Sequence, residues 1–535
     1  MYIELERPMR RIVGSAAAPG LAEGPLFRLD AQPRSARSAG TPDEERDALV
    51  RAMRAAQSEL ERLAGASEGE AAAILGFQIA LLEDEALAAP AFATIERGEA
   101  ADSAWRAALD VQIADYRGAS DSYFRGRAAD LEDLRDRVLD LITGAGSVTI
   151  PPGAIVSAED LAPSRFLSAD WRGAGIVLDR GSPTSHLAIL ARARGIPVVV
   201  GIDSCGCEGH GYALLDGDAG ELVLDPDEST RRAFEHKVAQ QRSRRAKDAV
   251  HLPKPATTAT GERVAVLINL GSLSELDHVN AEHTDGVGLV RTEFLFQGRD
   301  RLPDEEEQFQ AYRHILDWAK GRPVIIRTLD AGGDKPIPGL TRAGESNPFL
   351  GIRGVRLSLR HPEVFRVQLR ALARAAAYGA LKIMVPMVTT PEEMARCRIM
   401  LDEAIGQLST TSRPALRPAL GMMVEVPAAA LSLPEFDAEF YSIGSNDLIQ
   451  YLTAASRDEP ELSDLAASPR ALWRLLSEIV NVGRCTGREV SLCGDLAGDA
   501  KMIPNLLDCG LRKFSVAVAA LASVKAAVAE YGRPG

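Results

Sequence analysis

One short run concentrates the reactive residue types: Gly181-Ser182-Pro183-Thr184-Ser185-His186-Leu187-Ala188-Ile189-Leu190-Ala191-Arg192. A turn of small residues precedes His186, and the pattern after it is helical. Backbone N–H groups left free at a helix start, with hydroxyls beside them, favour an anion there. A neutral imidazole is nucleophilic near pH 7 and can take a phosphoryl group as a covalent intermediate. His186 is therefore a candidate phosphate carrier; the plain alternative is a capping or surface histidine. The apolar runs Ile176-Val177-Leu178 and Ile196-Pro197-Val198-Val199-Val200 flank it and predict strand, turn, helix and strand. Ligands of α/β folds sit at such junctions.

A second set of polar residues ends apolar runs in the C-terminal half. Arg291 follows Gly288-Leu289-Val290, Arg327 follows Ile325-Ile326, and Arg353 follows Gly351-Ile352. Glu425 ends Met422-Met423-Val424, Asn446 and Asp447 follow Ser442-Ile443-Gly444-Ser445, Arg457 comes ten residues after Asp447, and Cys493 ends Val490-Ser491-Leu492. Converging charges are costly as plain core. Around a small, multiply charged anion they have a purpose, because guanidinium groups grip carboxylate and phosphate bidentately. Glu425 and Asp447 supply the hard oxygens that suit Mg²⁺. Any one of these residues alone reads equally well as a surface ion pair. Cys493 reads as a proton donor or as a small buried thiol. Cys205-Gly206-Cys207 with His210 lacks a fourth ligand and is not read as a zinc site.

The elements that must carry these residues fall into three textures. Residues 11–28 predict two short strands, and helical patterns follow at 42–64, 69–88, 90–117 and 119–142, which suggest an antiparallel bundle. Short apolar strands then return at Val148-Ile150, Ala154-Val156, Ile176-Leu178, Val198-Val200, Ala213-Leu215 and Leu222-Leu224. The simplest account inserts the helices into this α/β domain. Polar residues 226–255 predict a linker helix. From Val264 onward strands and helices alternate for the rest of the chain, with strands at Val264-Leu270, Gly286-Val290, Val324-Leu329, Ile383-Met387, Gly421-Val426, Phe440-Ile443, Val490-Cys493 and Lys513-Val516. Eight such units predict a (β/α)₈ TIM-type barrel, whose chemistry belongs at the C-terminal ends of its strands. The expected domains are 1–30 with 146–225, the helical insert 31–145, the linker 226–255 and the barrel 256–535.

Composition narrows the classes. With 535 residues, 46% hydrophobic and 25% charged, the chain is an ordinary multidomain globular protein. No apolar run is long enough to span a membrane, and the N-terminus lacks a secretion pattern, so the cytoplasm is expected. Six cysteines in this length are no disulfide framework. The net charge of −14 is concentrated in Thr41–Ala145, where 22 Asp and Glu face 11 Arg and no Lys. Such a surface argues against nucleic acid and fits either a basic protein partner or plain solubility.

The segment 181–192 resembles the Gly-Gly-x-Thr-Ser-His-x-x-Ile-x-Ala-Arg signature of enzyme I of the bacterial phosphoenolpyruvate-dependent sugar phosphotransferase system. Gly288–Phe296, Arg327–Lys335, Asn347–Arg353, Ser442–Tyr451 and Cys493–Asp499 resemble that family's barrel motifs, so the likeness covers nearly the whole chain. It implies a swivelling phosphohistidine α/β domain with a helical insert, followed by the barrel. By this resemblance His186 accepts the phosphoryl group of phosphoenolpyruvate through Nε2 and passes it to the carrier protein HPr. Arg291, Arg327, Asn446, Asp447 and Arg457 hold phosphoenolpyruvate, Glu425 and Asp447 bind Mg²⁺, and Cys493 protonates the enolate. Leu81, Asp84, Glu85 and Leu87 resemble the HPr-docking helix, and a homodimer through the barrel is implied.

The chain departs from the family at Ser182, at Ala18 in Ala17-Ala18-Pro19-Gly20, at Gln78 in place of the docking-helix His, at Ser456 and at Asp495. None removes a reacting group, and the change at Gln78 bears on which HPr is the acceptor. Pyruvate phosphate dikinase and phosphoenolpyruvate synthase share the His domain and barrel, but no glycine-rich phosphate loop precedes residue 150 here. A non-catalytic scaffold would not need the full set of charged residues.

Overall fold

The computed structural model describes residues 9–29, 38–65, 70–118, 122–144, 150–168, 174–181, 185–202, 211–296, 301–332, 337, 339–342, 345, 347–410, 413–456, 462 and 470–533. The chain divides into two units, Met1–Gln240 and Gln241–Gly535. In the first, β1 (Arg10–Val13), β2 (Ser15–Ala18), β3 (Leu21–Arg28), β4 (Ile155–Ala158), β5 (Gly175–Leu178), β6 (Val198–Val200), β7 (Tyr212–Asp216) and β8 (Glu221–Leu224) form one sheet. Its order is β1-β8-β7-β3-β4-β5-β6-β2, with β3 to β6 parallel and β2 antiparallel on β6. Residues 11–28 thus make three strands, one more than expected, because two close turns break them. At the first, a Cβ on Gly14 would collide with the Val200 carbonyl; at the second, Gly20 takes φ +132°. The expected strand at Val148-Ile150 falls mostly outside the described residues, and Ile150 itself is not in a strand.

Five helices lie in sequence between β3 and β4: α1 (Pro42–Gly65), α2 (Glu70–Glu83), α3 (Glu85–Ile95), α4 (Ala101–Gly118) and α5 (Ser122–Thr143). Their shared core includes Leu49, Leu60, Trp105, Leu131 and Val138, all buried, with the Trp105 Nε1–H donating to the Arg135 carbonyl at 3.2 Å. The sequence predicted four helices here. The boundary expected at residue 89 is absent, Pro90 lying inside α3, and breaks fall instead after Ile95 and at Asp84, whose extended backbone (ψ 110°) ends α2 and whose side chain accepts the Ala86 N–H at 2.9 Å, capping α3. That turn also decides which docking candidates face water. Asp84 and Glu85 are exposed and Leu81 is half-buried, but Leu87 is only 3% exposed within the helical core. Leu87 thus packs inward with that core and offers no outer surface to a partner in this structure.

Gln78, which stands where the resembled docking helix has a His, is likewise turned inward. It is fully buried, donating from Nε2 to Asp133 Oδ2 (2.9 Å) and to the Asp130 carbonyl (3.2 Å). Ser164, on α6 (Pro163–Ser168) between β4 and β5, donates to the same Asp133 Oδ2 at 2.5 Å and accepts from Arg137 Nη2 at 2.7 Å. Gln78 thus belongs to the seam joining the helices to the sheet lobe, not to an outer face. The next helix, α7 (His186–Arg194), has Ser185 as N-cap, accepting the Ala188 N–H, and Gly195 as left-handed C-cap. The helix α8 (Glu228–Ala249) has no buried residue, which is what a linker of charged residues should show.

The second unit closes into a barrel of eight parallel strands: β9 (Ala265–Leu270), β10 (Val287–Arg291), β11 (Val324–Arg327), β12 (Leu381–Val385), β13 (Ala419–Val424), β14 (Phe440–Gly444), β15 (Glu489–Cys493) and β16 (Lys513–Val516), which pairs back to β9. Around it run α9 (Glu305–Ala319), α10 (Val355–Arg360), α11 (Pro362–Ala375), α12 (Pro391–Ser409), α13 (Pro427–Leu431), α14 (Ser445–Thr453), α15 (Arg470–Thr486) and, after two short turns of helix, α16 (Leu521–Glu530). The β strands are buried on both faces, hence the continuous apolar runs in their sequences. Inside the barrel, Glu489 pairs with both Lys382 and Lys513 near the strand starts, and Leu289, Ile325, Met384, Met423, Phe440 and Cys493 fill an apolar layer. Only the strand ends are left for chemistry.

Lys525 of α16 is 3% exposed and donates from Nζ to three carbonyls, Leu252 (2.7 Å), Lys254 (2.8 Å) and His283 (2.6 Å). Lys525→Met leaves all three without that donor and should destabilise the barrel by roughly 2–4 kcal/mol. Calorimetry of the full chain should show the loss in one transition; an unchanged profile would refute the role of this ammonium.

Candidate functional site

The C-terminal ends of β10 to β15 bring together charges that are far apart in sequence. Arg327 ends β11 with its Nη2 3.0 Å from Glu293 Oε1 and its Nη1 3.1 Å from Asp330 Oδ2. Arg353 reaches the same Asp330, at 2.7 Å from Nη2 to Oδ2, and also Asp447 at 3.2 Å from Nη1 to Oδ1. Glu293 Oε1 accepts the Asp330 N–H at 2.9 Å, so side chain and backbone lock into one network. All five side chains are buried. Burial alone would lower the Arg327 and Arg353 guanidiniums, but Asp330 and its neighbouring carboxylates more than reverse this, and both stay charged.

Glu425 follows β13 and is 1% exposed. Its Oε1 accepts the Met387 N–H at 2.6 Å. Met387 takes φ +58°, a strained conformation for a residue with a side chain, and it turns this N–H to the carboxylate. Burial, then the nearby Asp447 and Asp330, push the Glu425 carboxyl up to about 8. Four carboxyls (Glu293, Asp330, Glu425, Asp447) thus share the buried cluster with two guanidiniums (Arg327, Arg353). A divalent cation would offset the excess of negative charge that arises when Glu425 ionises, and so would hold that carboxyl deprotonated. The donor set fits one with hard-ligand preference, since Glu425 and Asp447 offer oxygens only. Among the described residues no group of three or more His, Cys, Asp or Glu is arranged as a closed metal cage. Mg²⁺ does not require one, because water and substrate oxygens complete its shell.

Asn446 and Asp447 open α14. Asn446 Nδ2 donates to Asp495 Oδ2 at 3.0 Å and its Oδ1 accepts the Asp495 N–H at 2.9 Å, joining the ends of β14 and β15. Cys493 is 2% exposed, its Sγ donates to the Ile443 carbonyl at 3.3 Å, and Ser442 Oγ donates to it at 3.8 Å. Burial pushes this thiol up to about 11, so it remains protonated at neutral pH. Arg291 ends β10 and is exposed. Arg457 and the His186 side chain lie outside the described residues, as do Cys205, Cys207 and His210.

Sequence reading named Arg327, Asn446, Asp447, Glu425 and Cys493, and the barrel gathers them at one end. It gave no role to Glu293 or Asp330, which hold the arginines in place. The available signal was their position within two or three residues of Arg291 and Arg327, in Arg291-Thr292-Glu293 and Arg327-Thr328-Leu329-Asp330.

A barrel with paired arginines and carboxylates at its strand ends, and a sheet domain whose helix starts at a histidine, fit the class of phosphoenolpyruvate-using enzymes to which family models assign the chain. Three family models agree: "PEP-utilising enzyme, PEP-binding domain" matches residues 245–533, "PEP-utilising enzyme, N-terminal" residues 13–127, and "PEP-utilising enzyme, mobile domain" residues 150–220. The chain is 36% identical to a phosphoenolpyruvate-protein phosphotransferase of Geobacillus stearothermophilus, over 97% of this chain and 92% of that protein. It is 33% identical to that of Bacillus subtilis (98% and 95%), and 37% identical to a multiphosphoryl transfer protein of Rhodobacter capsulatus, of which it spans 64%. The chain belongs to the phosphoenolpyruvate-protein phosphotransferase family.

Gly444 tests how tightly Glu425 is held. A Cβ at this position would lie 2.7 Å from Glu425 Oε2 and 3.0 Å from Met423 Cγ. Gly444→Ala should therefore displace the carboxylate and cut turnover roughly tenfold or more, while circular dichroism stays that of the native fold. Wild-type turnover in this variant would show that Glu425 has room to move.

Proposed function

We propose that the chain moves the phosphoryl group of phosphoenolpyruvate to His186 and from there to a histidine of the carrier protein HPr. The observation that carries this reading is the buried Arg327–Asp330–Arg353–Asp447 network with Glu425 beside it at the barrel mouth. Arg291, Arg327 and Arg457 bind the phosphate and carboxylate of the substrate, and Asn446 and Asp447 orient it. Glu425 and Asp447 hold Mg²⁺, which when bound supplies charge neutralisation at the phosphoryl oxygens. The bond from phosphorus to the enol oxygen breaks as the bond from phosphorus to His186 Nε2 forms. The electron pair left on the enolate takes the Cys493 thiol proton at carbon, giving pyruvate, and solvent reprotonates the thiolate. A thiol held protonated suits that role better than a reactive thiolate.

The barrel site and a protein acceptor cannot surround one histidine at once, so the His186 domain swivels between them about segments near residues 145 and 225. The acidic helical lobe, with Asp84 and Glu85 exposed, is the dock for a basic HPr surface. No helix among the described residues is long and apolar enough to cross a membrane. A cytoplasmic homodimer through the barrel completes the reading.

Incubation with phosphate-labelled phosphoenolpyruvate, Mg²⁺ and HPr tests it. The expected outcome is acid-labile label on the chain and on HPr, none with His186→Ala, and none from γ-labelled ATP. Arg327→Ala should lower labelling by about 100-fold or more. Equal labelling of His186→Ala, or robust labelling from ATP, would overturn the proposal.

A further inference from the structure

Behind the strand ends lies a buried polar chain that touches no substrate group. Gln368 of α11 is 1% exposed. Its Oε1 accepts the Leu329 N–H at 3.0 Å, and its Nε2 donates to Thr292 Oγ1 at 3.3 Å and to Tyr312 Oη at 3.2 Å. Thr292 Oγ1 donates onward to the Arg327 carbonyl at 3.0 Å. On the far side, Tyr312 donates to Gln308 Oε1 at 3.1 Å, and Gln308 Nε2 donates to the Pro303 carbonyl at 3.1 Å. Every donor and acceptor of one amide is thus committed, and two of its partners lie next to the arginine-bearing turns. Thr292 separates Arg291 from Glu293; Leu329 separates Thr328 from Asp330.

Apolar packing and this polar chain meet at Leu329. Leu329 is buried in the barrel's apolar core beside a hollow of only about 10 Å³, which Phe296, Leu340, Leu357, Phe365 and Gln368 also line. Packing holds the Leu329 side chain, and the hydrogen bond to Gln368 is what satisfies and fixes its backbone N–H. A buried N–H that loses its acceptor carries the full desolvation penalty, so the turn would move to recover one. Arg327 and Asp330 flank that turn and would move with it.

We infer that Gln368 is a positioning residue for phosphoenolpyruvate binding, setting the spacing of the β10 and β11 ends that carry Arg291 and Arg327. This rests on the reading of those arginines as the substrate grip. It predicts that the residue acts on substrate affinity through Leu329 and Thr292, and that its outer link to Tyr312 contributes only to packing.

The test measures KM and kcat for phosphoenolpyruvate, and thermal stability, in the full chain. Gln368→Leu should raise KM roughly tenfold with a smaller change in kcat, the expected scale for one lost buried hydrogen bond near a charged grip. Gln368→Glu keeps an acceptor for the Leu329 N–H but loses the amide donor to Thr292, so its KM should fall between those of the wild type and Gln368→Leu. Thr292→Val, which keeps shape and breaks the link to Arg327, should also raise KM, and it carries the test if Gln368→Leu does not fold. Tyr312→Phe should lower stability and leave KM within about twofold. Wild-type KM in both Gln368→Leu and Thr292→Val would overturn the proposal. So would a KM that rises in step with lost stability in all four variants, including Tyr312→Phe. Failure of the wild type to take label from phosphoenolpyruvate would instead overturn the reading of the arginines.

Discussion

The barrel's function depends on keeping charge buried at the end of an apolar cylinder. Two guanidiniums and four carboxyls sit where water is excluded, and isolated ions there would be costly by several kcal/mol each. The cost is met by mutual pairing: Asp330 bridges Arg327 and Arg353, Glu293 braces Arg327 and the Asp330 backbone, and Asp447 braces Arg353. Such a network is rigid because any one member that moves leaves another unpaired. Rigid charges in a low-dielectric pocket act strongly on a phosphoryl group, since they need not reorganise when the reaction occurs.

The rest of the barrel serves that arrangement. Lys382, Glu489 and Lys513 neutralise one another near the strand starts, and the apolar layer above them keeps water from the interior. The strained Met387 turn aims a backbone N–H at Glu425, and Gln368 ties the β10 and β11 ends from behind. Strain and buried polar atoms are tolerated at this end because packing elsewhere is regular. In the first unit the corresponding device is the Asp133–Ser164 contact, which with Gln78 and Arg137 joins the helical lobe to the sheet.

Much of this was legible in the sequence. Eight apolar runs separated by helical patterns over this length match a parallel barrel, in which each strand is covered on both faces. The polar residues that end those runs then fall at one mouth, so Arg327, Glu425, Asn446, Asp447 and Cys493 could be named without coordinates. The helix start at His186 was equally plain, since Ser185 is a good cap and Gly195 a good stop. Local rules of this kind act within a few residues and need no tertiary information.

Only the tertiary structure decided which side chains answer one another across the fold. Gln78 and Leu87 lie on two helices of an acidic lobe, yet α5 and the helical core claim them, because burial depends on what packs opposite. Asp330 and Glu293 are unremarkable letters until Arg353, which follows β11 in the chain, and Arg327 converge on them. Gln368 lies on a helix 76 residues from Thr292 and carries no signal in its own neighbourhood. Hydrogen bonds and ion pairs over such separations are set by the closure of the barrel, which periodicity predicts in kind but not in register.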